Sequence, residues 1–493
     1  MPDPLPGRDC RHYILTTQMN LSKDIDFPAA RLVGKAADIR ELPVYIVGGF
    51  VRDLFLQRHS KDMDFVAVGS GIDLARGVAR LLGPRTRINV FQTYGTAQIK
   101  YKGLELEFVG ARKESYSPES RNPMVSAGTL DEDLARRDFT INAMAVSVNA
   151  DSFGELLDPF NGIVDLHKRI IRTPLDPDIT FSDDPLRMMR AVRFATQLQF
   201  DIFPETLEAI RRNASRIEII TKERINTELM KIMDSEHPSI GWRLLHDTGL
   251  LPFIFPELEA LSGVETMEGR GHKDNFAHTL QVLDNVAAKS DNVWLRWAAL
   301  VHDIAKPVTK RYDPRLGWTF HNHNFIGEKM IPRIFTRMKM PLNANMKYVA
   351  KLVGMHMRPQ SVGEEGVTDS AVRRMIFDAG DAADDLMLLA EADITSKNPA
   401  KVHRILENFK MVRARMAEVE EKDRIRNFQP PVDGREIMET FGIEPSDVIG
   451  HLKERIKDAI LDGRIPNDHE AARALMLSLA PEYGLTPVTP ADS

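Results

Sequence analysis

The sequence predicts an α+β protein: a head in which strands and helices share a mixed sheet, followed by all-α neck, body and tail. Strand-like runs fall at 44–47, 62–65, 90–102 and 104–109, with glycine turns and short helical spacings between them. From about residue 250 the pattern becomes almost wholly helical.

At 493 residues the chain has the length of about three domains. Its 43% hydrophobic and 28% charged residues describe a soluble globular protein. No apolar run approaches the ~18 residues of a membrane span, and no signal-peptide core stands at the N-terminus. One cysteine, Cys10, excludes an internal disulfide framework and suits a reducing cytoplasm. A net charge of −6 argues against a protein that coats nucleic acid, but local basic faces matter more than the sum. Residues 1–18 carry little pattern, and Met19 is a candidate start.

Residues 27–41 have the spacing of an amphipathic helix. Val44 to Val47 then reads as a buried strand stopped by Gly48 and Gly49, and Phe50 to Leu56 as a helix with Arg52 and Asp53 on its first turn. Paired glycines let backbone N–H groups approach a polyphosphate, and the helix start favours anions. In Asp62-Met63-Asp64-Phe65 both carboxylates leave one face of a second strand while Met63 and Phe65 enter the core. Such a pair offers hard oxygen ligands suited to Mg²⁺. Taken alone, a double glycine or an alternating Asp pair reads as a turn or a solvated edge. The GGxxRD-x8-DxD spacing between strand signals favours nucleotide chemistry instead.

Ile72 to Leu82 predicts a helix, and Val90 to Lys102 a strand bent at Tyr94-Gly95-Thr96. Leu104 to Val109 alternates again, setting Glu105 and Glu107 on one face. Residues 113–131, rich in Ser, Pro, Gly and charge, predict a mobile loop. After Ser182-Asp183-Asp184, Pro185 suits the first helical position, which makes Asp184 an N-cap. Arg187, Arg190 and Arg193 follow at three-residue steps among apolar neighbours, and a buried arginine row requires anionic or planar partners.

These motifs resemble the polymerase-beta-like nucleotidyltransferases, in the class of bacterial tRNA CCA-adding enzymes and poly(A) polymerases. The resemblance spans roughly 27–480, with five ordered motifs in the first half. It implies a catalytic head (27–150), a helical neck for base selection and RNA binding (151–245), an HD-type body (246–425) and a tail (426–493). Asp62 and Asp64 would hold two Mg²⁺ ions, with Glu107 as a third carboxylate; alternatively Glu107 is simply paired with Arg112. Gly49 and Arg52 would hold the triphosphate. Arg137 and Asp138, within Arg136-Arg137-Asp138-Phe-Thr-Ile-Asn142, would meet the nucleotide's sugar and phosphates. Asp184 would accept from the exocyclic amine of C or A while Arg187 donates to the adjacent ring nitrogen. Uracil and guanine face that carboxylate with a carbonyl and are refused at a cost of a few kcal/mol. Arg190 and Arg193 would hold phosphates or brace Arg187, and Glu223 to Glu228 would buttress that helix.

The implied reaction is template-independent CCA addition to the tRNA acceptor end from CTP and ATP, with release of pyrophosphate. A poly(A) polymerase, or an enzyme adding only CC or only A, is the neighbouring alternative. The stretch Val68 to Ala75 lacks the basic segment typical of poly(A) polymerases. Further on, His278, His302-Asp303 and Asp393 resemble the metal-binding order of the HD phosphohydrolases, with His323 and His356 as extensions to a second metal. Imidazole and carboxylate ligands suit Mn²⁺, Fe²⁺ or Ni²⁺ as well as Mg²⁺. Each histidine taken singly reads as a satisfied core residue. A rival of another class makes the body the working phosphohydrolase and the head vestigial.

Overall fold

Apolar spacing winds α1 (Pro28–Asp38), which buries Ala29, Ala30, Val33, Ala36 and Ala37. The computed structural model describes residues 19–488, apart from 118–119, 268–269, 272–273, 365, 367, 397 and 424–428. The unpatterned stretch 1–18 lies outside the described residues, whereas Met19, the candidate start, is the first of them. The chain packs as two units, one reaching residue 228 and including 244–254, the other made of 229–243 and the chain from 255.

In the first unit, β1 (Val44–Val47), α2 (Gly49–Phe55), β2 (Asp62–Ala67) and α3 (Gly71–Leu82) follow α1. Ser70 caps α3 by accepting from the Asp73 N–H at 3.1 Å. Then come β3 (Asn89–Phe91), β4 (Thr96–Tyr101), β5 (Leu104–Gly110), β6 (Arg112–Ser117), β7 (Ser120–Ala127), α4 (Leu130–Ala135), β8 (Ala145–Ser147) and β9 (Leu156–Leu157). Seven strands form one sheet in the order β3-β4-β5-β2-β1-β8-β9. Only β2 and β5 run parallel; the other pairs are antiparallel. On the sheet's buried face the register partners Phe65 and Phe108 stack with centroids 5.4 Å apart.

One expectation is overturned here. The serine- and proline-rich stretch expected as a loop over 113–131 is the two-stranded β6–β7 hairpin, running into α4 through a Thr129/Glu132 capping box. Its strands pair only with each other, so the backbone ladder forms without the alternation that a buried sheet face imposes.

The same unit continues through α5 (Gly162–Lys168), β10 (Ile170–Ile171), α6 (Pro177–Asp183), α7 (Leu186–Leu198), β11 (Asp201–Ile202), α8 (Pro204–Asn213) and the start of α9 (Lys222–Met233). Helix α7 is held by fully buried Met188, Met189, Ala191, Val192 and Ala195, and Phe194 meets Phe139 edge-on at 5.8 Å. The second unit is built from helices, with short hairpins at 266–271 and 311–319. Trp242 and Trp297 pack edge to face at its centre, both fully buried.

Candidate active site

Strand alternation puts Asp62 and Asp64 on one face of β2, Asp62 exposed and Asp64 half-buried, while Met63 and Phe65 are in the core. The parallel register brings Glu107 of β5 beside Asp64 and Glu105 beside Asp62. Glu105 turns to Lys100, at 2.8 Å, so Glu107 is the glutamate that joins the aspartates. Burial pushes the Asp64 carboxyl up, Arg137 draws it back, and Asp62 raises it again. Glu107 still reaches solvent, yet desolvation and then Asp64 lift it, with Arg112 opposing and Asp62 adding to the rise. Asp64 and Glu107, both held up in this way with Asp62 beside them, form a site that gains from a cation between them. Among the described residues, triplets of ligand atoms within 4.8 Å of one another occur in the second unit and not here. A cation at Asp62 and Asp64 would therefore complete its shell with water and substrate phosphate, as Mg²⁺ commonly does.

Gly48 adopts φ +74°, and a Cβ there would stand 3.1 Å from Arg137 Nη1 and 3.5 Å from Asp64 Oδ2. This glycine, rather than Gly49 on the first turn of α2, keeps the backbone open beside the carboxylates. Arg52 Nη1 donates to Asn142 Oδ1 at 2.9 Å, and Asn142 Nδ2 donates to Asp138 Oδ1 at 3.1 Å. Asp138 Oδ2 accepts from Arg190 Nε at 2.7 Å. A continuous chain of hydrogen bonds thus ties α2 to α7. Burial works against the Asp138 charge, but Arg190, Asn142 and Arg187 outweigh it and hold the carboxyl down at about 2. Asp133, fully buried, accepts from Arg136 at 2.6 Å and Arg137 at 3.0 Å, fixing both guanidinium groups.

Asp184 caps α7: its Oδ1 accepts from the Leu186 N–H at 3.1 Å, and its Oδ2 lies 3.3 Å from Arg224 Nη2. Arg187 does not pair with it. Its Nη2 donates to the Arg136 carbonyl at 2.7 Å, one residue from the arginine that overlooks Asp64. Both side chains are half-buried. Arg193 corrects the expectation of a phosphate contact: it is 7% exposed, with Nε 2.9 Å from Glu228 of α9, and burial pulls its guanidinium down to about 10 against the pull of Glu228. It braces the helix, as the Glu223–Glu228 motif led one to expect. Asp133 and Asn142 are the site residues that the sequence did not single out by role. Asp133 alone had a local signal, standing three and four residues before the arginines it holds.

In the second unit, six residues from the ends of five helices converge, His302 and Asp303 being adjacent at one of them. His278 Nε2 lies 2.9 Å from Asp393 Oδ1 and 3.6 Å from Asp303 Oδ2; His302 Nε2 lies 3.1 Å from Asp303 Oδ2 and 3.6 Å from Asp393 Oδ1. On the other side of Asp303, His323 Nε2 is 3.3 Å from Oδ1, and His356 Nε2 is 3.9 Å from it. Every imidazole is turned the same way. The Nδ1 atoms of His302, His323 and His356 face the carbonyls of Ala299, Phe320 and Val353 at 2.7–2.8 Å, and His278 Nδ1 faces Thr395 Oγ1. The carbonyl contacts fix, for His302, His323 and His356, the tautomer that presents a bare Nε2 inward, the usual arrangement around a metal. His302 Nε2 is buried with no hydrogen-bond partner, and two ligand triplets, His278/His302/Asp303 and Asp303/His323/His356, share Asp303. The donor set therefore fits one or two divalent ions. His321 is exposed and outside the cluster.

Three stretches match known families: a poly(A) polymerase head domain at 44–172, a probable RNA- and SrmB-binding site of polymerase A at 199–261, and an HD domain at 275–396. The chain is 35% identical over 317 residues to a multifunctional CCA protein of Shewanella frigidimarina, covering 61% of this chain and 70% of that one. It is 30% identical over 437 residues to an A-adding tRNA nucleotidyltransferase of Deinococcus radiodurans, covering 86% and 93%. Among solved structures, a tRNA nucleotidyltransferase complexed with a primer tRNA and an incoming ATP analog matches with a TM-score of 0.55 and 26% identity, over 78% of this chain and 98% of that one. The carboxylate cleft, the arginine-bearing neck and the HD cluster thus occur in one chain alongside relatives of nearly full length, and the chain belongs to the tRNA nucleotidyltransferase family.

Proposed function

We propose that this protein rebuilds the 3′ end of tRNA by adding C, C and A from CTP and ATP. The observation that carries the reading is the carboxylate face of β2 and β5 lying against Gly48 and Arg137. The names of the relatives support the tRNA substrate and divide between full CCA addition and addition of A alone. The terminal 3′ oxygen attacks the α-phosphorus of the incoming nucleotide; that O–P bond forms as the bond to the β-phosphate oxygen breaks, and pyrophosphate leaves.

Asp62 and Asp64 would hold the divalent ions, which we take to be Mg²⁺, and Glu107 would add a third acidic group beside Asp64. A metal held there would supply the means to lower the pKa of the attacking hydroxyl and to offset phosphate charge. Gly48 and Gly49 leave room for the triphosphate, and Arg52 and Arg137 meet its oxygens. Asp184 and Arg187 read the donor-beside-acceptor edge that cytosine and adenine share. Asp138 and Arg190 orient these groups, and Arg193 braces α7. The neck and body would receive tRNA by shape and backbone, as A-form RNA requires. No helix among the described residues is long and apolar enough to cross a membrane, and we place the enzyme in the cytoplasm.

A second reading adds to this one. The six-ligand cluster supports metal-dependent phosphoester hydrolysis in the body, through the pocket of about 230 Å³ that opens beside His278, Lys306, Asp393 and Lys401.

The test is to incubate the protein with tRNA ending at the discriminator base and with tRNA ending in CC, giving CTP and ATP separately and together with Mg²⁺. Full CCA addition extends the first substrate only when both nucleotides are present to completion. Addition of A to the second substrate alone reassigns the protein to A addition, and long tails from ATP alone overturn the reading. D62A/D64A abolishes every product.

A further inference from the structure

Beyond β5 the carboxylate face of the sheet continues across β4 and β3. Gln98 stands opposite Glu107, and Asn89 opposite Gln98, so side chains lead outward from the candidate active site over two strand spacings, about 10 Å. Two depressions lie along this line and share Gln98. The inner one, about 460 Å³, is bordered by Glu107, Arg112, Phe91 and Tyr94. The outer one, about 490 Å³, is lined by Arg85, Arg87, Lys100 and Lys102 with no acidic side chain among its walls. Glu105, on the neighbouring strand, answers Lys100 and leaves the other three cations in surplus. Phe91 and Tyr94 are 49% and 71% exposed, a costly position for two aromatic rings on a polar face.

We propose that this strip binds the unpaired 3′-terminal nucleotides of the RNA being extended: Arg85, Arg87 and Lys102 take backbone phosphates, and Phe91 and Tyr94 stack bases. The assignment rests on the nucleotidyl-transfer reading above. In an in-line displacement the attacking oxygen and the leaving pyrophosphate stand on opposite sides of the phosphorus. Gly48, Arg52 and Arg137 lie on the β1 side of β2, which gives the triphosphate that flank. The attacking 3′ end then arrives over β5, β4 and β3, where the strip runs. A basic track interleaved with exposed aromatic rings is the chemistry that single-stranded nucleic acid requires.

The test compares wild type, F91A/Y94A and R87A/K102A, using tRNA ending at the discriminator base with CTP and ATP. The expected result for F91A/Y94A is a rise of about tenfold or more in the KM for tRNA, with the KM for CTP unchanged. In R87A/K102A the slope of log affinity against log salt should fall by about 0.7 for each lost phosphate contact. All four positions are on the surface, and circular dichroism checks that the variants fold. An unchanged KM for tRNA in the first variant, or an unchanged salt slope in the second, overturns the proposal while wild-type addition stands. Failure of the wild type to extend tRNA at all instead removes the reading beneath it.

Discussion

Asp138 pairs with Arg190 and reaches Arg52 through Asn142, so removing only its charge is a direct test of the arrangement. D138N keeps the shape and an acceptor oxygen but deletes the anion that pairs with Arg190. The drop of the folded carboxyl from 3.8 to about 2, at about 1.36 kcal/mol per unit, corresponds to roughly 2 kcal/mol of stability at neutral pH. Because the folded value lies below the unfolded one, this contribution is complete above about pH 4 and disappears as pH falls through 2. The deficit of D138N should therefore be flat between pH 7 and pH 5 and shrink only below about 4. All four tryptophans lie between 242 and 318, so their fluorescence is blind to this part of the chain. Hydrogen exchange in α7 across a urea series is the appropriate measurement. A deficit under 0.5 kcal/mol at pH 7, or one that already closes between pH 7 and pH 5, refutes the claim that the ionised Asp138–Arg190 pair holds α7 to the head.

Removing Glu228 strands the Arg193 charge among apolar neighbours: E228A should cost about 3–5 kcal/mol by urea unfolding, and R193M/E228L much less. D184N leaves an oxygen to cap Leu186 but reverses part of the polarity offered to the base, so misincorporation of UTP should rise while the KM for tRNA holds; unaltered nucleotide choice would sink the base-reading role. H302A/D303A should lose bound transition metal by elemental analysis, together with any phosphodiesterase activity, while D62A/D64A keeps both.

The head was legible in the sequence because its chemistry travels on local patterns. An alternating strand fixes the side of the sheet on which Asp62 and Asp64 emerge and puts Glu105 and Glu107 on one face of the next, but only the Lys100 pairing of Glu105 leaves Glu107 as their companion. The capping role of Asp184 was equally local, needing only Pro185 beside it. What stayed hidden were partners set by tertiary folding: Asp138 and Arg190 are 52 residues apart, and nothing in either neighbourhood names the other. The arginine row of α7 shows the consequence. Spacing alone makes Arg187, Arg190 and Arg193 equivalent, but the fold gives them three fates: a carbonyl of the arginine motif, a buried aspartate, and a glutamate on α9. Of the three, only Arg187 makes its closest hydrogen bond to a backbone oxygen. Arg190 and Arg193 are tied to acidic partners, Asp138 and Glu228, whereas Arg187 is held by the Arg136 carbonyl. That division of labour is why substituting Arg187 should change which base is accepted, whereas substituting Arg193 should change whether α7 stays in place.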